Sequence, residues 1–325
     1  MSISRREFIQ HMLSLGVSAA VVAAALSILD CSSQPTHGPA SGNTTPPPPP
    51  PPPGDAAYLA VARGDSPTAM VQAALTALGG IERFVRPGND VIIKPNICVS
   101  YRTYEYAATT NPEVVGALVT LCLGAGARRV RVMDNPFSGS AAEAYPTSGI
   151  EEAVRSAGGE MEVMSTMKFQ GAAIPYGRMI TSWPVYRDML ETDVLIDVPI
   201  AKHHGLARLT LGMKNLLGVV ANPGGLHTDL SEKLTDLATL VRPHLTVIDG
   251  VRILMNNGPS GGSLSDVKMT NTVIASHDIV AADAYAATLF NLQGADIGAV
   301  RAGSQRGLGT MDMTAIKIEE IPVGA

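Results

Sequence analysis

Cysteine is almost absent from this chain. Three occur in 325 residues, at positions 31, 98 and 122, and none forms a Cys-x-x-Cys pair. That excludes thiolate-built zinc sites, and no iron–sulfur cluster is expected. Aromatic residues make up 4% and charged residues 16%, with a net charge of −5. The chain therefore offers neither a stacking platform for bases nor a basic patch for nucleic acid. Cys98 and Cys122 suit either a disulfide in an oxidising compartment or two isolated core thiols, and both readings stay open.

The N-terminus reads as an address. Ser4-Arg5-Arg6-Glu7-Phe8-Ile9 precedes an uncharged, Ala-rich stretch from Met12 to Leu29. Residues 1–31 thus resemble a twin-arginine export signal, which implies the export machinery as a partner. A transmembrane helix is the competing reading, because the stretch is nearly long enough to span a bilayer. Cys31 resembles a lipoprotein attachment cysteine, with Asp30 an atypical residue before it. The expected location is periplasmic, free or lipid-anchored, with membrane contact only through the signal or the anchor. Residues 32–55 are rich in Ser, Gly, Thr and Pro and include eight consecutive prolines, Pro46–Pro53. Such a run is a semi-rigid polyproline II spacer.

Residues 56–325 are long enough for one large domain or two intimate lobes. Apolar strand-like runs at Tyr58–Ala62, Asp90–Ile93, Arg129–Met133, Val194–Val198, Leu245–Ile248, Thr272–Ala275 and Ile316–Ile321 alternate with helix signals. Asp65-Ser66-Pro67 and Asn111-Pro112 each supply a cap and a first-turn proline. The alternation predicts an α/β fold with a mostly parallel sheet and helices on both faces.

Polar groups follow directly on these strands: Lys94 and Asn96, Asp134 and Asn135, Lys202, His203 and His204, Asp249, then His277 and Asp278. In open parallel sheets ligands bind at the carboxyl ends of strands, so these five ends predict one shared pocket. The densest stretch is 193–227, with His203, His204, His227, Lys202 and Lys214. His203 and His204 are adjacent, so on an extended backbone only one of them faces the pocket. Lys214 lies in an apolar run, Leu209–Val220, where burial lowers a lysine pKa and suits it to act as base or nucleophile. Asp134, Asp249 and Asp278 suit a divalent cation as hard oxygen ligands, or a helix cap. Asp283, among alanines, is expected in a core salt bridge.

The segments IIKPN, TTNPEVV, GARRVRVMDNP, VLIDVPIAKHHGL, TLGMKNLLGVV, LTVIDG, NNGP and VAADA resemble domain-of-unknown-function family 362 (DUF362) over nearly all of residues 56–325. The order of features is also similar, more distantly, to the nickel-pincer lactate racemase family. There His204 matches an early histidine, Lys214 the cofactor-tethering lysine and His227 a later histidine. That resemblance implies a lactate-racemase-like fold and makes a nickel-pincer nucleotide on Lys214 one cofactor option, with Thr110, Asn111 and Asn215 beside it. The glycine-rich run that precedes the family's lysine is replaced here by Leu209–Met213.

Two functions fit these residues. One is an exported enzyme acting on a small anionic molecule through acid–base or metal-assisted chemistry, with Lys94, His204, Lys214 and His227 as catalytic groups. In its metal-assisted form, His204, His227 and Asp249 would bind a divalent metal. Asn96, Asp134, Lys202, His203 and Asp278 would complete the pocket. The alternative is a periplasmic protein that binds a small anion or metal without turnover.

Overall fold

The computed structural model of the protein describes residue 52 and residues 54–324. The export segment 1–31, with Cys31, and most of the linker 32–55 lie outside the described residues.

In chain order the first elements are Leu59–Arg63 (β1), Pro67–Ala77 (α1), Asp90–Pro95 (β2), Pro112–Gly124 (α2) and Arg129–Val132 (β3). Next come Ala141–Ser148 (α3), Ile150–Ser156 (α4), Glu160–Met161 (β4), the hairpin of Phe169–Ala173 (β5) and Ser182–Tyr186 (β6), and Arg187–Glu191 (α5). Val194–Val198 (β7), Ile200–His204 (β8), Arg208–Thr210 (β9), Gly212–Asn215 (α6) and Leu230–Leu240 (α7) carry the polar stretch. Leu245–Leu254 (β10), Val267–Ser276 (β11), Ile279–Ala286 (α8), Gly298–Gln305 (α9) and Ile318–Pro322 (β12) complete the order.

The helix starts follow from local chemistry. Ser66 Oγ accepts from the Ala69 N–H, and Asn111 Oδ1 accepts from the Glu113 N–H at 2.9 Å, each cap being followed by a proline. These side chains satisfy backbone donors that the first turn leaves unpaired.

The main sheet runs β12-β1-β11-β10-β7-β2-β3-β4. Of these eight strands only β11 runs against the others, being antiparallel to both β1 and β10. β8 pairs with β10 beyond β7, and β9 folds back on β8. The fold is thus α/β with a mostly parallel sheet.

β7 shows why the sheet is buried on both sides. All five of its residues are buried. Leu195 faces the cluster that contains Leu234, Leu237 and Val280 of α7 and α8; Val194, Ile196 and Val198 face the cluster with Val71, Val115 and Leu118 of α1 and α2. Successive side chains alternate between faces, so helices cover both. Each fully buried Val, Leu or Ile contributes roughly 1.5–3 kcal/mol.

The chain after Pro199 stays extended, as the opposed directions expected of His203 and His204 require: Ile200–His204 is a strand that continues pairing along β10. Two local expectations differ from the structure. β10 does not end at Asp249 but runs to Leu254, with a bulge between Gly250 and Arg252. The reversal of β11 carries Ser276, His277 and Asp278 to the edge where β1 and β10 begin, opposite the carboxyl ends of β2 and β7.

Candidate functional site

The carboxyl ends of β2, β3 and β8, with α6 and the segment that ends at His227, enclose a cavity of about 560 Å³. Its lining includes Lys94, Asn96, Asp134, Lys202, His204, Lys214, Asn215 and His227. A volume of that order suits a small-molecule ligand.

Its floor is a continuous polar network. Lys94 Nζ donates to Asn215 Oδ1 and to the Pro95 carbonyl, both at 2.9 Å, and pairs with Asp134 Oδ1 at 2.7 Å. Asn215 Oδ1 also accepts from Asn96 Nδ2 at 2.8 Å, while its Nδ2 donates to Asp197 Oδ1 at 2.7 Å. Lys202 Nζ donates to Asn96 Oδ1 at 2.8 Å and to the Ala108 carbonyl at 2.6 Å. Lys94, Lys202, Asp134 and Asp197 are all buried, and such charges are tolerated only when paired and hydrogen-bonded. Burial lowers the Lys202 pKa and raises that of Asp197 well above the usual carboxylate range. Gly218 makes the packing possible, because a Cβ there would collide with Asp134 Oδ1 and lie 2.7 Å from Lys94 Nζ.

Above this floor are groups with no protein partner. Among the described residues Lys214 Nζ makes no hydrogen bond or ion pair, and neither does the buried hydroxyl of Thr210. Burial first, then repulsion from Lys202 and Lys94, lowers the Lys214 pKa to about 8. Its position is set by α6, whose first amides, Gly212 and Met213, donate to Asp283 at 2.7 and 2.9 Å. Asp283 is therefore a cap for α6 rather than half of the expected core salt bridge. Burial raises its pKa to about 7.

The two histidines are held in different protonation patterns. His204 Nδ1 accepts from the Leu206 and Ala207 amides at 3.1 and 3.2 Å. An amide only donates, so the proton of neutral His204 sits on Nε2. Burial, and then the nearby Lys214, lowers its pKa to about 4 and keeps it neutral. His227 Nδ1 lies 3.0 Å from the Pro223 carbonyl. A carbonyl only accepts, so Nδ1 of His227 carries a proton, and in the neutral ring Nε2 keeps a lone pair.

Other candidates lie elsewhere. His203 points away from the cavity, and its Nδ1 accepts from the Gly258 amide at 3.2 Å. Thr110 Oγ1 donates to the Val198 carbonyl and accepts from the Asn96 amide, both at 2.8 Å, which ties the ends of β2 and β7 together. Asn111 caps α2 and its amide donates to Asp249 at 2.7 Å. Neither residue lines the cavity, in contrast to the cofactor contacts expected of them. Asp249, buried in mid-strand, also accepts from the Val251 amide. Asp278 caps α8 at the far edge, taking amides of Val280 and Ala281 and the hydroxyl of Tyr58. The shared pocket predicted from five strand ends therefore holds three of them.

The ligand set His204, His227 and Asp249 does not fit a divalent ion. Asp249 is committed to backbone amides below the cavity, and neither nitrogen of neutral His204 is available as a ligand. One imidazole remains, and no group of three His, Cys, Asp or Glu suited to a metal occurs among the described residues. Four lining residues that sequence reasoning missed are Cys98, Phe137, Thr210 and Gly218. Thr210 carried a signal: it alternates with Leu209 and Leu211, both buried among apolar side chains. Cys98 and Cys122 are both free, Cys98 beside the cavity and Cys122 within α2.

A family model described as domain of unknown function (DUF362) matches residues 91–288. The chain belongs to the DUF362 family. Every cavity-lining residue of this DUF362 protein, from Lys94 to Pro259, falls inside the matched span. The thylakoid-associated protein sll1697 of Synechocystis sp. is 28% identical over 257 residues, covering 74% of this chain and 75% of that protein. Among solved structures, the lactate racemase apoprotein of Thermoanaerobacterium thermosaccharolyticum is similar at a TM-score of 0.45 and 12% identity, over 67% of this chain. A protein of Thermotoga maritima is similar at 0.39 and 10%, over 75%. The chain spans 54% and 60% of those two proteins.

Proposed function

We propose that this DUF362 protein is an exported enzyme that moves a proton on a small carboxylate. The observation that carries this reading is the trio Lys214 Nζ, His204 Nε2–H and His227 Nε2. All three line one cavity, none has a protein partner among the described residues, and the backbone makes one imidazole a donor and the other an acceptor. Lys214 supplies the charge that attracts the carboxylate. His227 Nε2 takes a proton from the carbon next to the carboxylate, and the electron pair moves onto the carboxylate oxygens. The His204 N–H and the Lys214 ammonium stabilise that charge, and proton return to carbon completes an isomerase-type cycle.

The test is solvent exchange. Incubated in D₂O with a panel of carboxylic acids, the protein is expected to exchange the hydrogen next to the carboxylate of at least one. His227→Gln abolishes exchange and retains binding, while Lys214→Ala loses binding. Stoichiometric binding without exchange across the panel would instead support a protein that captures an anion without turnover.

A lysine-tethered nickel cofactor, which the racemase resemblance suggests, would be held by Lys214 and His227. It would supply an electrophilic metal centre. Extra intact mass that disappears in Lys214→Ala would reveal it. Export rests on the Arg5-Arg6 leader, and a relative described as thylakoid-associated supports a location at a membrane. Retention of an Arg5→Lys, Arg6→Lys variant in the cytoplasm is the expected result.

A further inference from the structure

The cavity is much larger than a two- or three-carbon acid requires. At ~30 Å³ per water, 560 Å³ holds about twenty waters. Beside its polar groups the lining includes the apolar residues Pro136, Leu217 and Pro259. Two further lining residues, Phe137 and Leu206, are 74% and 72% exposed. Isolated exposed apolar side chains are ordinary, but two on the wall of one cavity form a lipophilic rim.

The charge on offer is single. The Lys94 ammonium is neutralised by Asp134, and Lys202 is bonded to Asn96 and to a carbonyl. Lys214 alone among the cavity's lysines has no partner among the described residues. The Thr210 hydroxyl, on β9 in the lining of the same cavity, is likewise buried and without a partner.

We infer that the ligand of this site is an amphiphilic monocarboxylate. Its head is held by Lys214, and its apolar chain runs out along Phe137 and Leu206. The inference rests on the active-site reading for its chemistry, but it is tested by binding alone.

Isothermal titration of the full chain with acetate, butanoate, hexanoate, octanoate and succinate makes that test. Affinity is expected to rise about fourfold for each methylene that enters the cavity. Succinate, whose second charge meets an apolar wall, binds at least tenfold more weakly than butanoate. The double variant Phe137→Ala, Leu206→Ala flattens the rise from butanoate to octanoate; both side chains are exposed, so the fold is not at risk. Equal affinities for acetate and octanoate, or tighter binding of succinate, would overturn the inference and leave the proton-transfer reading intact. A rise with chain length but no solvent exchange would support the inference and remove the enzyme reading. No binding of any carboxylate would remove both.

Discussion

His204 and His227, both in the lining of the cavity, are stacked with ring centroids 6.5 Å apart and planes inclined by 23°. Two backbone amides hold one ring as an Nε2–H donor, and one carbonyl holds the other with its Nε2 lone pair free. Two chemically identical side chains thus acquire opposite roles from the peptide groups behind them. Lys214 completes the set as a cation whose pKa lies near physiological pH.

Lys214 predicts how anion binding depends on pH. Its pKa is lowered to about 8, so the ammonium is present below that value and lost above it. Affinity for butanoate should be flat between pH 6 and 7 and fall toward tenfold per pH unit above about 8. Calorimetric titration from pH 6 to 10 checks this. Lys214→Gln should weaken binding and remove the pH dependence.

Gly218→Ala should be damaging although it adds one methyl. The new Cβ has nowhere to go but into the Lys94–Asp134 pair. Overpacking of this kind costs ~1–3 kcal/mol, read as a lower midpoint in urea. The same substitution at Gly224, where a Cβ would meet nothing within 4 Å, should be nearly neutral.

Asn215 joins three side chains, Lys94, Asn96 and Asp197, that are not hydrogen-bonded to one another. Asn215→Leu leaves Lys94 Nζ short of an acceptor, Asn96 Nδ2 without this one, and Asp197 Oδ1 without a donor. Buried polar groups left unsatisfied cost ~1–3 kcal/mol each, so a loss on the order of 3–5 kcal/mol is expected in equilibrium unfolding. Asn215→Asp should also destabilise, because it replaces the donor toward Asp197 with an acceptor.

His204 predicts an acid limit to stability. The folded protein titrates it near 4, whereas an unfolded histidine titrates near 6.5. Between those values the unfolded chain binds the extra proton. The contribution is therefore complete above pH 6.5 and lost as pH falls through 4. Buried carboxyls such as Asp283, with a raised pKa, act in the opposite sense, so the comparison must be wild type minus His204→Gln. That difference should shrink by on the order of 2 kcal/mol between pH 7 and pH 4.

Much of this arrangement was legible in the residues. Asn111-Pro112 announced the start of α2, the apolar run 194–198 a buried strand, and Lys214 in its apolar surroundings a shifted lysine. Alternation along β8 separates His203 from His204, as an extended backbone requires. The failures have one cause, which is that strand direction and length are settled by neighbours. Asp249 lies inside a strand prolonged by pairing with β8 and β11, and Asp278 lies at the wrong edge because β11 is reversed. Nothing in the local sequence marks either outcome. The histidine tautomers were also beyond reach, since they depend on amides and a carbonyl brought in by two separate turns.

The account stands most directly on those tautomers. Long-range ¹⁵N–¹H correlation of the histidine-labelled protein at pH 8 reads them ring by ring, with His204→Gln and His227→Gln as assignments. The prediction is a proton on Nε2 of His204 and on Nδ1 of His227. A proton on Nδ1 of His204, or on Nε2 of His227, would remove the donor and the base from the places assigned to them and contradict the proposed chemistry.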